Sequence, residues 1–237
     1  MDAASSAQPA PVTPMPVVVL ISGSGSNLQA LIDGQARGEL PIRLCAVISN
    51  RAKVRGLERA RAAGISCAVL NHREFPDRDA FDQALQRLID SFAPQLVVLA
   101  GFMRILTPAL VRHYQGRLLN IHPSLLPKYP GLHTHERALA AGETEHGATV
   151  HFVTEELDGG PAILQARVPV LTGDDAETLA TRVLRQEHII YPQVVQWFAS
   201  GRLRLDEHGQ VRLDDQLLPE PLCLDEPAAA SGSDYPL

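Results

Sequence analysis

The sequence predicts an α/β fold: an open, twisted, mostly parallel sheet with helices on both faces, turning mixed and antiparallel in its C-terminal part. Three observations predict it. Apolar runs of strand length alternate with helical patterns through the first half of the chain, the rhythm of successive βαβ units. The first run passes through a glycine-serine turn directly into a helix. Two later runs, separated by one short acidic stretch, have the spacing of an antiparallel pair.

Taken in order, Val17 to Ser22 is an apolar strand and Ser26 to Gln35 a helix, followed by a strand over Leu44 to Ser49 and a helix over Val54 to Ala63. A short strand near Cys67 to Leu70 precedes a helix from Asp77 to Phe92, then the buried run Leu96 to Ala100, a short helix from Pro108 to Tyr114 and the strand Leu118 to Ile121. Beyond a proline-rich loop, Thr134 to Ala141 is a helix stopped by Gly142. Ala148 to Thr154 and Ile163 to Val170 are the antiparallel pair, around the loop Glu155 to Gly160. Asp174 or Asp175 can cap a long amphipathic helix running towards Trp197 or Phe198, expected to break or bend near Pro192. The order is that of a Rossmann-like sheet, in which right-handed crossovers put ligands beyond the carboxyl ends of the strands.

At 237 residues and 45% hydrophobic, the chain suits one domain with tails. Met1 to Pro16 is rich in Ala, Pro and Ser and lacks the basic start and apolar run of a signal peptide, so residues 1–16 are read as a disordered extension. Residues 219–237, with several prolines and a Ser-Gly-Ser segment, are read as a flexible tail. A net charge of -6 without any basic run argues against nucleic acid as a partner. The longest apolar runs are far too short to cross a bilayer, so a soluble protein is expected. Cys45, Cys67 and Cys223 form no Cys-x-x-Cys pair, which predicts neither a disulfide framework nor a zinc knuckle and fits a reducing cytoplasm.

The most informative stretch is Leu119-Asn120-Ile121-His122-Pro123 and the loop on to Gly131. On a strand, positions i and i+2 point to the same side, so Asn120 and His122 face one volume where a buried strand runs into a loop stiffened by Pro123, Pro127 and Pro130. An amide can hydrogen-bond a developing oxyanion and a histidine can move a proton near neutral pH, the pair that acyl or one-carbon transfer needs. Ser22-Gly23-Ser24-Gly25-Ser26-Asn27 opens the first helix, where free N–H groups favour an anion such as phosphate; the alternative is a Gly/Ser turn without ligand. Leu28 stands where a dinucleotide fingerprint has its third glycine. Arg104, after the run ending at Gly101, either reaches an anion or is a solvated or structural salt-bridge residue, while Ile105 and Leu106 line an apolar slot or belong to the core. Asp158 is either a partner that favours the imidazolium form of His122 or a solvated loop carboxylate. His133, His135, His146 and His151 lack a metal-ligand spacing and are read as loop and surface residues, with His133 and His151 near the ligand; no metal is expected. Ser124 lacks a nucleophile elbow, against a serine hydrolase.

These segments, together with Ala100-Gly101-Phe102-Met103-Arg104-Ile105-Leu106 and Asp158-Gly159-Gly160-Pro161, resemble the folate-dependent phosphoribosylglycinamide formyltransferase family from about Val17 to about Leu213. The resemblance implies a single formyltransferase domain over residues 17–218. It also implies transfer of a formyl group from 10-formyltetrahydrofolate, as cosubstrate, to the amine of glycinamide ribonucleotide, without metal or covalent enzyme intermediate. Asn120, His122 and Asp158 would be the catalytic set. Gly25, Ser26, Asn27 and Glu187 would hold the ribonucleotide. Arg78, Met103, Arg104, Ile105, Leu106, Asn120 and the Thr154-Glu155-Glu156-Leu157-Asp158 loop would bind the folate, its pteridine near Leu99, Ile105, Leu118 and Val153. Small-molecule partners, no membrane, a cytoplasmic location and a monomer or weak homodimer complete the expectation. Family members often carry Asn where this chain has Ser24, a position whose role is largely backbone. Formyltetrahydrofolate hydrolases share the catalytic set, and a noncatalytic phosphometabolite binder would share the fold; turnover that depends on the amine separates the three.

Overall fold

Five consecutive apolar residues, Val17 to Ile21, leave no face of the first strand fit for water, and all five are fully buried. The structure, a computed structural model, describes residues 13–225. From β1 (Met15–Ile21) the chain runs through α1 (Ser26–Ala36) to β2 (Ile42–Ser49), and through α2 (Arg55–Ala62) to the edge strand β3 (Ser66–Val69). It returns by α3 (Arg78–Asp90) to β4 (Leu96–Leu99), which lies on the other side of β1, and α4 (Pro108–His113) leads on to β5 (Leu118–His122). All pairings so far are parallel. Strand order reverses between β1 and β4, so their two following loops diverge and leave a crevice at the carboxyl edge.

The sheet then changes character, as expected. After α5 (Thr134–Ala140), β6 (Glu145–Phe152) pairs antiparallel with β5, and β7 (Ala162–Pro169) antiparallel with β6. Helix α6 (Ala176–Ala199) follows, capped by the Asp175 side chain, which accepts from the Thr178 N–H at 2.8 Å. Alternate residues of β1 divide between two cores: Val17, Val19 and Ile21 pack with Leu28, Leu57 and Tyr191 of α1, α2 and α6, and Val18 and Leu20 with Phe81, Leu85 and Leu110 of α3 and α4. Apolar faces on both sides are why these strands read as unbroken apolar runs.

The structure departs from expectation in three places. Helix α6 is unbroken through Pro192, although proline removes one intrahelical donor. Burial of Ile190, Tyr191, Val194 and Val195 holds both halves to one core, and the Tyr191 hydroxyl reaches the carbonyl oxygens of Leu99 and Leu119 at 2.9 and 3.1 Å. Met15 and Pro16, assigned to a disordered extension, belong to β1 and pair with Ile42 and Arg43. A proline so near a strand's start does little harm to its pairing. Finally, β8 (Leu203–Leu205), β9 (Val211–Leu213) and β10 (Gln216–Leu217) form a small separate sheet, and β11 (Leu222–Asp225) adds parallel to β7 within the segment read as a flexible tail. Residues 1–12 and 226–237 of the two expected tails lie outside the described residues. Among the described residues no helix is long and apolar enough to cross a membrane.

Candidate active site

Asn120 and His122 stand two apart on β5 and face one volume at its carboxyl end, as the strand rule requires. Antiparallel pairing with β6 sets His151 opposite Asn120 and Thr149 opposite His122. The first pairing brings Asn120 Nδ2 to 3.1 Å from His151 Nε2. His151 is 2% exposed, and burial pushes its imidazole below the usual range, so the ring is neutral near pH 7. Its Nδ1 donates to the Phe152 carbonyl at 2.9 Å, which leaves Nε2 as the acceptor that fixes the Asn120 amide. The second pairing braces the loop: Thr149 Oγ1 donates to the Ser124 carbonyl at 2.7 Å and accepts from the Leu126 N–H at 3.0 Å.

Asp158 closes the group from the β6–β7 loop. Its Oδ2 lies 3.4 Å from His122 Nδ1 and accepts from the Gly131 N–H at 2.8 Å, and its Oδ1 lies 3.9 Å from His151 Nε2. The side chains of His122 and Asp158 are only 7% and 9% exposed, so the attraction between them is weakly screened. His122 Nε2 lies 2.9 Å from the Tyr129 carbonyl, so a doubly protonated ring would find an acceptor at each nitrogen. The loop reaches inward because Gly160 packs on β6, where a Cβ would lie 1.9 Å from the Phe152 carbonyl oxygen.

The glycine-serine turn lies across the crevice. Gly25 caps α1 with φ 68°, and no side chain caps the helix, which leaves first-turn N–H groups for an anion. Ser22 Oγ donates to Asn50 Oδ1 at 2.7 Å and accepts from the Met103 N–H at 2.8 Å, tying this turn to the loop after β4. Ser24 is exposed, and Ser26 is partly so. Asn27 Nδ2 donates to Glu187 Oε2 at 2.6 Å, so residues far apart in sequence meet between α1 and α6. Both side chains are buried; burial raises the Glu187 carboxyl, and Asn27 Oδ1 has no partner among the described residues.

A cleft of about 100 Å³ opens beside Asn120 and His151, walled by Arg104, Ile105, Leu106, Leu99 and Val153 and by the loop Thr154 to Asp158. Leu118 is buried beneath rather than lining it, Met103 is exposed and outside its walls with its N–H on Ser22 Oγ, and Arg78 stands exposed at the first turn of α3. Asp82 was not among the residues that the sequence singled out. It is buried under this cleft and its Oδ2 accepts from the Thr107 N–H at 2.5 Å, anchoring the loop after β4 to α3, while burial pushes its carboxyl up.

The histidines correct the surface reading. His133 alone fits it, with a side chain 73% exposed at the cap of α5. His146 is buried and His151 with it, and His135 Nδ1 meets His146 Nε2 at 3.1 Å. Burial, then His135, holds the His146 imidazole at about 4. A folded value below the unfolded one of about 6.5 means that protons favour the unfolded chain, so this stability is present above about pH 6.5 and lost towards about pH 4. Wild-type protein is expected to lose about 2 kcal/mol more than His146→Gln between about pH 7 and pH 5 in urea unfolding. Equal losses in the two proteins would contradict that assignment. No group of three or more His, Cys, Asp or Glu side chains among the described residues could hold a metal ion.

Residues 15–195 match the family described as Formyl transferase. The chain is 59% identical to phosphoribosylglycinamide formyltransferase of Escherichia coli (strain K12) over 205 residues, 86% of this chain and 96% of that protein. It is 48% identical to the enzyme of the same name from Haemophilus influenzae over 204 residues, with the same two shares. The solved phosphoribosylglycinamide formyltransferase of Coxiella burnetii superposes with a TM-score of 0.83 at 56% identity, covering 88% of this chain and 99% of its own. With a family match across both halves of the crevice and relatives aligned over nearly their whole length, this chain belongs to the formyl transferase family, among the phosphoribosylglycinamide formyltransferases.

Proposed function

We propose that the chain transfers the formyl group of 10-formyltetrahydrofolate to the amine of glycinamide ribonucleotide, giving formylglycinamide ribonucleotide and tetrahydrofolate in purine biosynthesis, and that Asn120, His122 and Asp158 carry the step. The observation that carries this reading is the convergence of an oriented amide, a histidine and a buried carboxylate between an anion-ready helix end and an apolar cleft. The ribonucleotide phosphate takes the free N–H groups at Gly25, Ser26 and Asn27. Glu187 and the unpartnered Asn27 Oδ1 take hydroxyl donors of the sugar side. The folate ring takes the cleft of Ile105, Leu106 and Val153, polar edges meeting the backbone of residues 103–106 and 154–158. Arg78 and Arg104 supply positive charge for the acidic tail.

The amine nitrogen adds to the formyl carbon and the carbonyl oxygen gains negative charge, which the Asn120 amide and the His122 imidazolium stabilise. His151 holds the Asn120 amide through Nδ2, leaving its second hydrogen to face substrate. Asp158 keeps His122 oriented through Nδ1. The C–N bond to the folate then breaks as the incoming nitrogen loses a proton and the leaving nitrogen gains one, a relay for which His122 is the placed group. Holding two substrates in one crevice supplies much of the remaining acceleration. Cys45 and Cys67, both free thiols, accord with a reducing cytoplasm.

The absorbance change on converting 10-formyltetrahydrofolate to tetrahydrofolate, followed with and without glycinamide ribonucleotide, tests this reading. Conversion that requires the ribonucleotide is expected. Conversion without it would mean hydrolysis, and no conversion in either case would mean a binder.

A further inference from the structure

The loop after β5 supplies a backbone partner to each member of the His122–Asp158 pair. Tyr129 offers its carbonyl to His122 Nε2 at 2.9 Å, and Gly131 donates its N–H to Asp158 Oδ2 at 2.8 Å. Only Pro130 lies between them, so a shift of this short segment loosens both contacts at once. No strand pairing holds it, and Tyr129 has φ 56°, in the left-handed region that a bulky side chain rarely adopts.

What holds the segment comes from outside it. Glu143, past the end of α5, accepts from the Tyr129 hydroxyl at 2.7 Å and takes Lys128 Nζ on both its oxygens at 2.9 Å. Arg137 of α5 places its guanidinium 5.2 Å from the centre of the Tyr129 ring and donates to the carbonyls of Pro130 and Leu132 at 2.6 and 3.3 Å. The His146 ring meets that of Tyr129 edge-on, 6.3 Å between centres. Glu143 has no hydrogen bond or ion pair to His122 or Asp158, and its side chain is 23% exposed. Among the described residues its links towards the pair run through Tyr129 and the adjoining Lys128.

We propose that Glu143 is a positioning residue for formyl transfer: by anchoring the Tyr129 hydroxyl it fixes the carbonyl that orients His122 and, two residues on, the N–H that orients Asp158. This rests on the assignment of His122 and Asp158 to the reaction. Glu143→Ala removes the anchor, and Tyr129→Phe removes only the hydroxyl while keeping the ring on Arg137. Each is expected to lower kcat about tenfold, with the KM of both substrates and Tm close to wild type. In single turnover at high enzyme concentration, Glu143→Ala added to His122→Ala is expected to cost less than about twofold more. In the same variants the His122 ring resonances, followed by nitrogen-15 NMR, are expected to shift. Both single variants keeping kcat within about twofold of wild type would overturn the proposal, as would a loss carried by KM or Tm, or one that persists in full without His122. Wild-type turnover in His122→Ala alone would instead remove that residue from the reaction, and the inference with it.

Discussion

Replacing His122 by alanine is expected to lower kcat by about three orders of magnitude while ribonucleotide affinity, measured by calorimetry, stays within about twofold. The size follows from two losses at once. In the proposed mechanism one is the ring that stabilises the developing oxyanion; the other is the group that relays a proton from the incoming amine to the leaving folate nitrogen. No neighbour replaces it, because His151 is held neutral by burial and already committed to the Phe152 carbonyl and the Asn120 amide. Affinity survives because the Asn27–Glu187 pair and the α1 terminus share no hydrogen bond with His122. The substitution also leaves the Tyr129 carbonyl and one side of Asp158 without their partner, at a cost of about 1–3 kcal/mol in stability. Urea unfolding of the variant therefore accompanies the assay. A folded variant with near-normal kcat would exclude His122 from the chemistry.

Much of this was legible in the chain. The i and i+2 rule alone brought Asn120 and His122 to one face, and the chain of βαβ units put ligands beyond the carboxyl ends of the strands, while the reversal of strand order between β1 and β4 came only with the structure. Asp158 was not derivable, because a loop carboxylate next to two glycines reads equally well as solvated, and only the family resemblance raised it. His151 was misread for a definable reason. It stands opposite Asn120 through the β5–β6 register, which one strand cannot announce by itself. A signal was nonetheless present, since a histidine inside the apolar run from Val150 to Val153 needs a polar partner once buried. His146 escaped because the strand was started at Ala148, whereas β6 begins at Glu145 and carries His146 inward on the side of Ala148 and Val150. The β11 strand was hidden because its pairing with β7 is made by backbone, on which a tail rich in proline and serine is silent. Asp82 was hidden because its partner is also backbone, the Thr107 N–H.

Gly25→Ala is expected to raise the ribonucleotide KM at least about tenfold and to cost about 2–4 kcal/mol in stability, with little change in folate KM. Two penalties act together. At φ 68° a side chain is strained whatever the space around it. The added Cβ would also lie 2.6 Å from the Cα of Gly56, a backbone atom that cannot rotate away. Gly56 has no room to retreat, since its own N–H donates to the Gly23 carbonyl at 3.1 Å and Ile21 Cδ1 lies 2.5 Å from where its Cβ would be. The turn must therefore open, and the N–H groups proposed to hold the phosphate turn with it. Ser24→Ala is the matched contrast: Ser24 is exposed and its recorded bond is backbone, a carbonyl accepting from Arg59 Nε at 3.0 Å, so its KM is expected within about twofold of wild type. Unchanged KM and stability in Gly25→Ala would mean that the turn does not shape the phosphate site. A large loss in Ser24→Ala would mean that hydroxyl rather than backbone donors hold the anion, and that the departure from the family's usual asparagine carries a functional change.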